Sequence, residues 1–142
     1  MSTIREIHTA LETALDTVEG LRVFDTPPQS PQYPCAYPVL NGWEPTTFTR
    51  LGHKRYEFTV YVLTAETARP QDGYRLLMDY ADAGSKSIDL AIWDANNRAA
   101  GTFGGLTNTT AAVTGFRILG SIDVDEFQAY GGVFTVEVLT KG

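Results

Sequence analysis

The sequence predicts an α+β domain: a mostly antiparallel sheet of four to six strands, with an N-terminal helix and two mid-chain helices packed on it. Three observations lead there. Apolar residues recur at helical spacing near the N-terminus and again after Pro70. The segments between and after these blocks alternate with a period of two and are rich in β-branched and aromatic residues. The order is helix, three or four strands, two helices, two strands, and such grouping favours an antiparallel α+β sheet over βαβ units.

The first element is a helix from about Thr3 to Glu19, with Ile4, Ile7, Leu11, Ala14, Leu15 and Val18 as its apolar stripe. Thr3-Ile4-Arg5-Glu6 matches a capping box, and Gly20 supplies a C-terminal stop. Leu21 to Phe24 reads as a short extended piece. Pro27, Pro28, Pro31 and Pro34 then forbid helix and central strand. A flexible loop is expected over about 26–35.

Ala36 to Leu40 reads as a strand ended by Asn41-Gly42. Thr46 to Leu51 and Arg55 to Leu63 flank Gly52-His53-Lys54 and read as a hairpin. In the second of these, Tyr56, Phe58, Val60 and Val62 point one way, and Glu57, Thr59, Tyr61 and Leu63 the other. Bulk on both faces places this strand centrally, and a neighbouring copy is one source of the second cover.

After Pro70, Tyr74, Leu77, Met78 and Ala81 form a helical stripe that Gly84 ends. Ser85 is positioned to cap a second short helix carrying Ile88, Ala91, Ile92 and Ala95, stopped at Asn96-Asn97. Gly101, Gly104 and Gly105 mark a flexible loop over about 98–110. Ala111 to Leu119 and Gly132 to Thr140 read as the last strands, joined through the acidic stretch Asp123 to Glu126. No internal repeat is visible, and 1–142 reads as a single domain.

Composition narrows the function. At 43% hydrophobic and 20% charged residues, the chain has globular balance. A formal net charge of −6 disfavours a phosphate-gripping surface. One cysteine, Cys35, leaves no intramolecular disulfide. No run of about 18 apolar residues occurs, so no membrane partner is expected.

Catalytic chemistry finds little footing. The two histidines are His8, at the margin of the first helix stripe, and His53, in the hairpin turn. His8 reads as a partly buried structural histidine and His53 as a solvated turn residue, so neither is expected to act as a base. Cys35, between Pro34 and Ala36, has no basic neighbour to activate it. Asp123 to Glu126 starts like a calcium loop but lacks the glycine and terminal glutamate, and no paired Cys or His spacing marks zinc. Gly101 to Gly105 is glycine-rich, yet no GK[ST] follows. Asp79, Asp82, Asp89 and Asp94 face water at helical spacing, and Asn108-Thr109-Thr110 reads as a coincidental sequon. The expectation is therefore no catalytic residue, no metal site and no cofactor. What remains is an aromatic surplus: Tyr33, Tyr37, Trp43, Phe48, Phe103 and Tyr130 are candidate interface residues, since aromatics are enriched at interface cores.

A resemblance rests on the whole order of elements. An amphipathic helix precedes a Pro-rich loop ending in Tyr33-Pro34-Cys35-Ala36-Tyr37-Pro38-Val39-Leu40. Then come the strand Arg55-Tyr56-Glu57-Phe58-Thr59-Val60-Tyr61-Val62, the helices Gly73 to Tyr80 and Ser87 to Ile92, and a terminal Gly131 to Val138 strand. This resembles the tail terminator (tail completion) proteins of long-tailed bacteriophages. The resemblance implies a structural virion protein with no catalytic residues. It implies a ring, typically a hexamer, that caps the tail tube and joins it to the head connector protein, with DNA passing through the centre without sequence-specific binding. It also implies a place at the head-proximal end of the tail, and the host cytoplasm during assembly. The alternatives are a head–tail connector or stopper, a tail tube subunit, or a small-molecule-binding or enzymatic domain with Asp123 or Asp125 as polar anchors.

Overall fold

The computed structural model describes residues 3–26, 32–46, 53–66, 70–82, 84, 86–96, 102–124 and 127–141. Its elements are α1 (Ile4–Asp16), β1 (Arg22–Val23), β2 (Cys35–Pro45), β3 (Lys54–Glu66), α2 (Pro70–Ala81), α3 (Ile88–Ala95), a 3₁₀ turn (Phe103–Gly105), β4 (Thr109–Val124) and β5 (Phe127–Thr140). The sheet order is β1-β2-β3-β5-β4. The short β1 runs parallel to β2, and every other pair is antiparallel. The fold class is α+β.

Local chemistry accounts for the helix ends. The Thr3 hydroxyl accepts from the Glu6 N–H at 3.1 Å, and the Glu6 carboxylate accepts from the Thr3 N–H at 3.0 Å, which completes the capping box. These bonds hold the Glu6 carboxyl below its ordinary value, the Thr3 backbone bond being the larger cause. The helix proper stops at Asp16, three residues before the expected end, and a turn at Gly20 with φ +77° leads into β1. Ser87 caps α3 by accepting from the Leu90 N–H at 3.0 Å; Ser85, the residue expected in that role, lies outside the described residues.

Three expectations are revised. The strand preceding β3 is β2 itself, which runs through Asn41-Gly42 by a bulge between Leu40 and Gly42 and pairs Trp43 with Tyr56. Most of 46–51, expected as a strand, lies outside the described residues. In α2 the buried line is Gly73, Leu77 and Tyr80, while Tyr74, Met78 and Ala81 face outward. The chain there follows glycine: a Cβ on Gly73 would stand 2.6 Å from the Tyr130 ring and 2.8 Å from the Thr64 hydroxyl. Only a glycine lets α2 sit this close to β3 and β5. Last, β4 and β5 extend well beyond their expected limits and meet as one long hairpin.

All three helices cover one face. Ile7, Leu11, Leu15, Leu77, Tyr80, Ile88 and Ile92 pack on Tyr56, Phe58, Val60, Val62, Phe134, Val136 and Val138 in one buried cluster. The opposite face is divided. At one end Cys35, Tyr37, Leu63, Ile122 and Ala129 are buried, and Phe24, Tyr33, Val39 and Tyr61 pack against them. Phe24 and Tyr33 of the same chain therefore supply cover there. At the other end Arg55 bridges Glu44 and Glu137, each at 2.9 Å, so the facing pair Glu57 and Glu137 has a cation beside it.

Asn96 joins α3 to the sheet. Its side-chain amide donates to the carbonyls of Ile92 (3.0 Å) and Ala111 (2.8 Å), and its Oδ1 accepts from the Ala111 N–H (3.1 Å). Asn96→Ala would orphan the buried Ala111 groups at about 1–3 kcal/mol each, so a loss of roughly 3 kcal/mol is expected in urea denaturation. Gly131→Ala would drive a Cβ into the Val62 carbonyl and is expected to cost about 1–3 kcal/mol by the same measurement.

Candidate functional site

The six aromatic residues singled out from the sequence do not share one surface. Phe103 is fully buried beneath α1, where it belongs to the main core. Tyr37 is 4% exposed and stacks on Tyr61 at 5.3 Å. Tyr33 and Tyr130 are half-buried, each packed against a core cluster. Trp43 is 50% exposed, with the Lys54 ammonium 4.1 Å from the ring centroid. Phe48 lies outside the described residues. Most of this aromatic surplus therefore packs within the chain's own interior.

The exposed apolar side chains stand elsewhere. Tyr74 and Met78 on α2, Leu90 and Trp93 on α3, and Phe116, Ile118 and Leu119 on β4 are all more than a third exposed. Tyr74 and Met78 are four residues apart and Leu90 and Trp93 three apart, so each pair shares a helix face. Ala81 and Asp82 at the end of α2 line one depression with Leu90 and Trp93. Phe116 opposes Phe134 across the ladder with rings 4.7 Å apart, which sets Phe116 on the helical side of the sheet. Ile118 opposes Gly132, two residues along, and faces the same way.

β4 is also the terminal strand of the sheet. Among the described residues its outer edge meets only a single bridge, Thr102 to Thr109. From Thr114 to Leu119 every residue is exposed. A long edge strand beside apolar side chains is a ready template for a further chain. Sequence reasoning missed this surface because its helical stripes were assigned to the core.

Reactive groups are sparse among the described residues. Cys35 is fully buried, and burial pushes its thiol up to about 11. His53 is half-buried in the β2–β3 connection, where its carbonyl accepts from the Thr46 N–H at 2.9 Å. Asp123 is exposed, and Asp125 lies outside the described residues. One cluster does form: His8 and Glu12 on α1 meet Asp25, just past β1. His8 Nδ1 is 2.6 Å from Glu12 Oε1 and 3.5 Å from Asp25 Oδ1. The Glu12 carboxyl is raised above its ordinary value, first by burial and then by its hydrogen bond with Asp25, against the lowering effect of His8. The expectation of no metal-ligating set considered paired Cys and His spacings and the 123–126 turn. His8 and Glu12 stand at helical i,i+4 spacing and were legible as neighbours; the arrival of Asp25 depends on the fold.

No family model matches the chain, and no curated protein matches it.

The buried thiol and phenols make stability depend on alkaline pH. The Cys35 thiol rises from 9.0 to about 11, and the Tyr37 and Tyr80 hydroxyls from 10.0 to about 12, in each case chiefly by burial. An unfolded chain ionises these groups first, so their contribution is full below about pH 9 and is lost as pH rises through 11 and 12. The urea midpoint is expected to fall over that window, and Tyr37→Phe to shallow the slope.

Proposed function

We propose that this chain is a structural subunit that assembles with copies of itself into a ring, and that the ring is the terminator of a phage tail. In this role it caps the tail tube, joins it to the head connector protein and lets DNA pass through the centre. One observation carries the self-assembly: exposed apolar side chains of α2 and α3, with Phe116 and Ile118 of β4, stand on the helical side of the sheet, beside a β4 edge that among the described residues meets only the Thr102–Thr109 bridge. A closed ring satisfies such surfaces through heterologous contacts, in which one patch meets a different patch of the next copy. The station in the virion rests on the resemblance of the element order to tail terminators. The net charge of −6 agrees with a lumen that conducts a polyanion without gripping it.

The proposal assigns no catalytic role to the chain. The exposed face of α2 and α3 and the β4 edge become contacts between subunits, while Trp43 and its Lys54 partner are left for the tube or connector.

Native mass spectrometry and light scattering over a concentration series test the reading. The wild-type chain is expected to form a discrete oligomer, alone or on mixing with tail tube protein. Trp93→Glu and Ile118→Lys, both at exposed positions, should keep the circular dichroism of the fold. Each should weaken association at least roughly 30-fold, as expected for loss of an interface anchor worth about 2 kcal/mol. A wild-type chain that stays monomeric at every concentration and does not assemble with tube protein would refute the proposal.

A further inference from the structure

We propose that His8, Glu12 and Asp25 form a binding site for one first-row divalent transition-metal ion, with zinc as the reference ion. The inference stands apart from the assembly reading, because the cluster lies on α1 and the β1 exit and not on the β4 surface.

The argument begins with the histidine. His8 Nε2 lies 3.2 Å from the Pro38 carbonyl oxygen. A carbonyl only accepts, so Nε2 carries a proton, which leaves Nδ1 as the ring nitrogen that a metal ion would take. Two carboxylates stand beside Nδ1, and the three ligand atoms all lie within 4.8 Å of one another. Three such ligand atoms at this spacing suit a shared cation. Protons now serve the cluster, one along the 2.6 Å His8–Glu12 contact and one in the hydrogen bond between Glu12 and Asp25. A divalent ion serves all three.

The geometry fits with small adjustment. Zinc takes imidazole nitrogen and carboxylate oxygen at about 2.0–2.2 Å, which in a tetrahedron sets neighbouring ligand atoms about 3.3 Å apart. The His8–Asp25 separation of 3.5 Å is already close to that. The His8–Glu12 contact opens by rotation of the Glu12 carboxylate, which sits at the rim of a solvent-open groove of about 750 Å³ lined also by Ile4, Arg5, Thr9 and Thr26. Water from that groove fills the remaining position. One imidazole with two carboxylates suits the first-row divalent ions, whereas magnesium and calcium prefer all-oxygen sets.

The support around the cluster is what an orienting outer shell provides. The Pro38 carbonyl fixes the histidine tautomer, and the Phe58 ring meets the imidazole edge-to-face at 6.3 Å. Asp25 follows an anchored backbone, since the Phe24 N–H donates to the Ala36 carbonyl at 2.9 Å. A bound ion therefore ties the first helix to the segment that leaves β1.

Calorimetric titration of the chelator-treated full chain with zinc chloride tests the site, with cobalt chloride as a spectroscopic probe. The expected result is one zinc ion per chain, a raised melting temperature, and a visible cobalt band displaced by zinc but not by magnesium. Asp25 is 78% exposed, so Asp25→Asn folds and is expected to weaken zinc at least about tenfold, as is Glu12→Gln. Asp16→Asn, on the same helix but outside the cluster, should bind as the wild type does. Absence of saturable zinc binding, or unchanged affinity in Asp25→Asn, overturns the proposal.

Discussion

The ladder between β3 and β5 is the constraint on which the other elements depend. β3 presents Tyr56, Phe58, Val60 and Val62 to one side and Tyr61 and Leu63 to the other, and all but Tyr61 are buried. A strand apolar on both faces is stable only with a strand on each flank and a layer on each face. β2 and β5 take the flanks. The helices take one face, and Phe24 and Tyr33 pack on the apolar end of the other. Gly131 lets β5 approach β3 where any side chain would strike the Val62 carbonyl. The placing of α2 follows in turn, because Gly73 seats that helix on Thr64 of β3 and Tyr130 of β5.

Much of this was legible in the residues. The capping box at Thr3 and Glu6, the central position of β3 and the order of elements all follow from short-range chemistry and alternation. What the sequence did not disclose has common physical origins. Helical spacing at Tyr74, Met78 and Ala81 signals an apolar face but not whether a sheet or a partner covers it. The true buried line runs through Gly73 and Tyr80, where a glycine carries no hydropathy signal at all. The hairpin was misplaced because Asn41-Gly42 resembles a turn, whereas β2 absorbs it as a bulge. Aromatics near prolines and glycines look loop-bound, yet Phe103 and Tyr37 turn inward because the 3₁₀ turn and β2 aim them there. The cluster at His8 joins one local pair to a residue brought in by the parallel β1–β2 contact.

The two proposed roles lie in separate regions of the molecule. The β4 edge and the outward helix stripes carry exposed apolar side chains between exposed charges such as Asp82 and Asp89, and the apolar part suits burial against another chain. The His8 cluster is polar, with His8 and Glu12 half-buried on the first helix and Asp25 exposed beside them, which suits an ion. Each can fail without the other.

The two irregularities along β4 bear on how any chain could lie against it. The ladder with β5 slips between Val113 and Gly115 and again between Ile118 and Gly120, where Gly120 has φ +79°. Each slip kinks the strand and adds to its right-handed coil. A visiting strand could hold uninterrupted hydrogen bonds only over the few residues between the kinks. Endless stacking of flat sheets is thereby frustrated, and successive molecules meeting at this edge would be turned relative to one another, which is the geometry of a curved array.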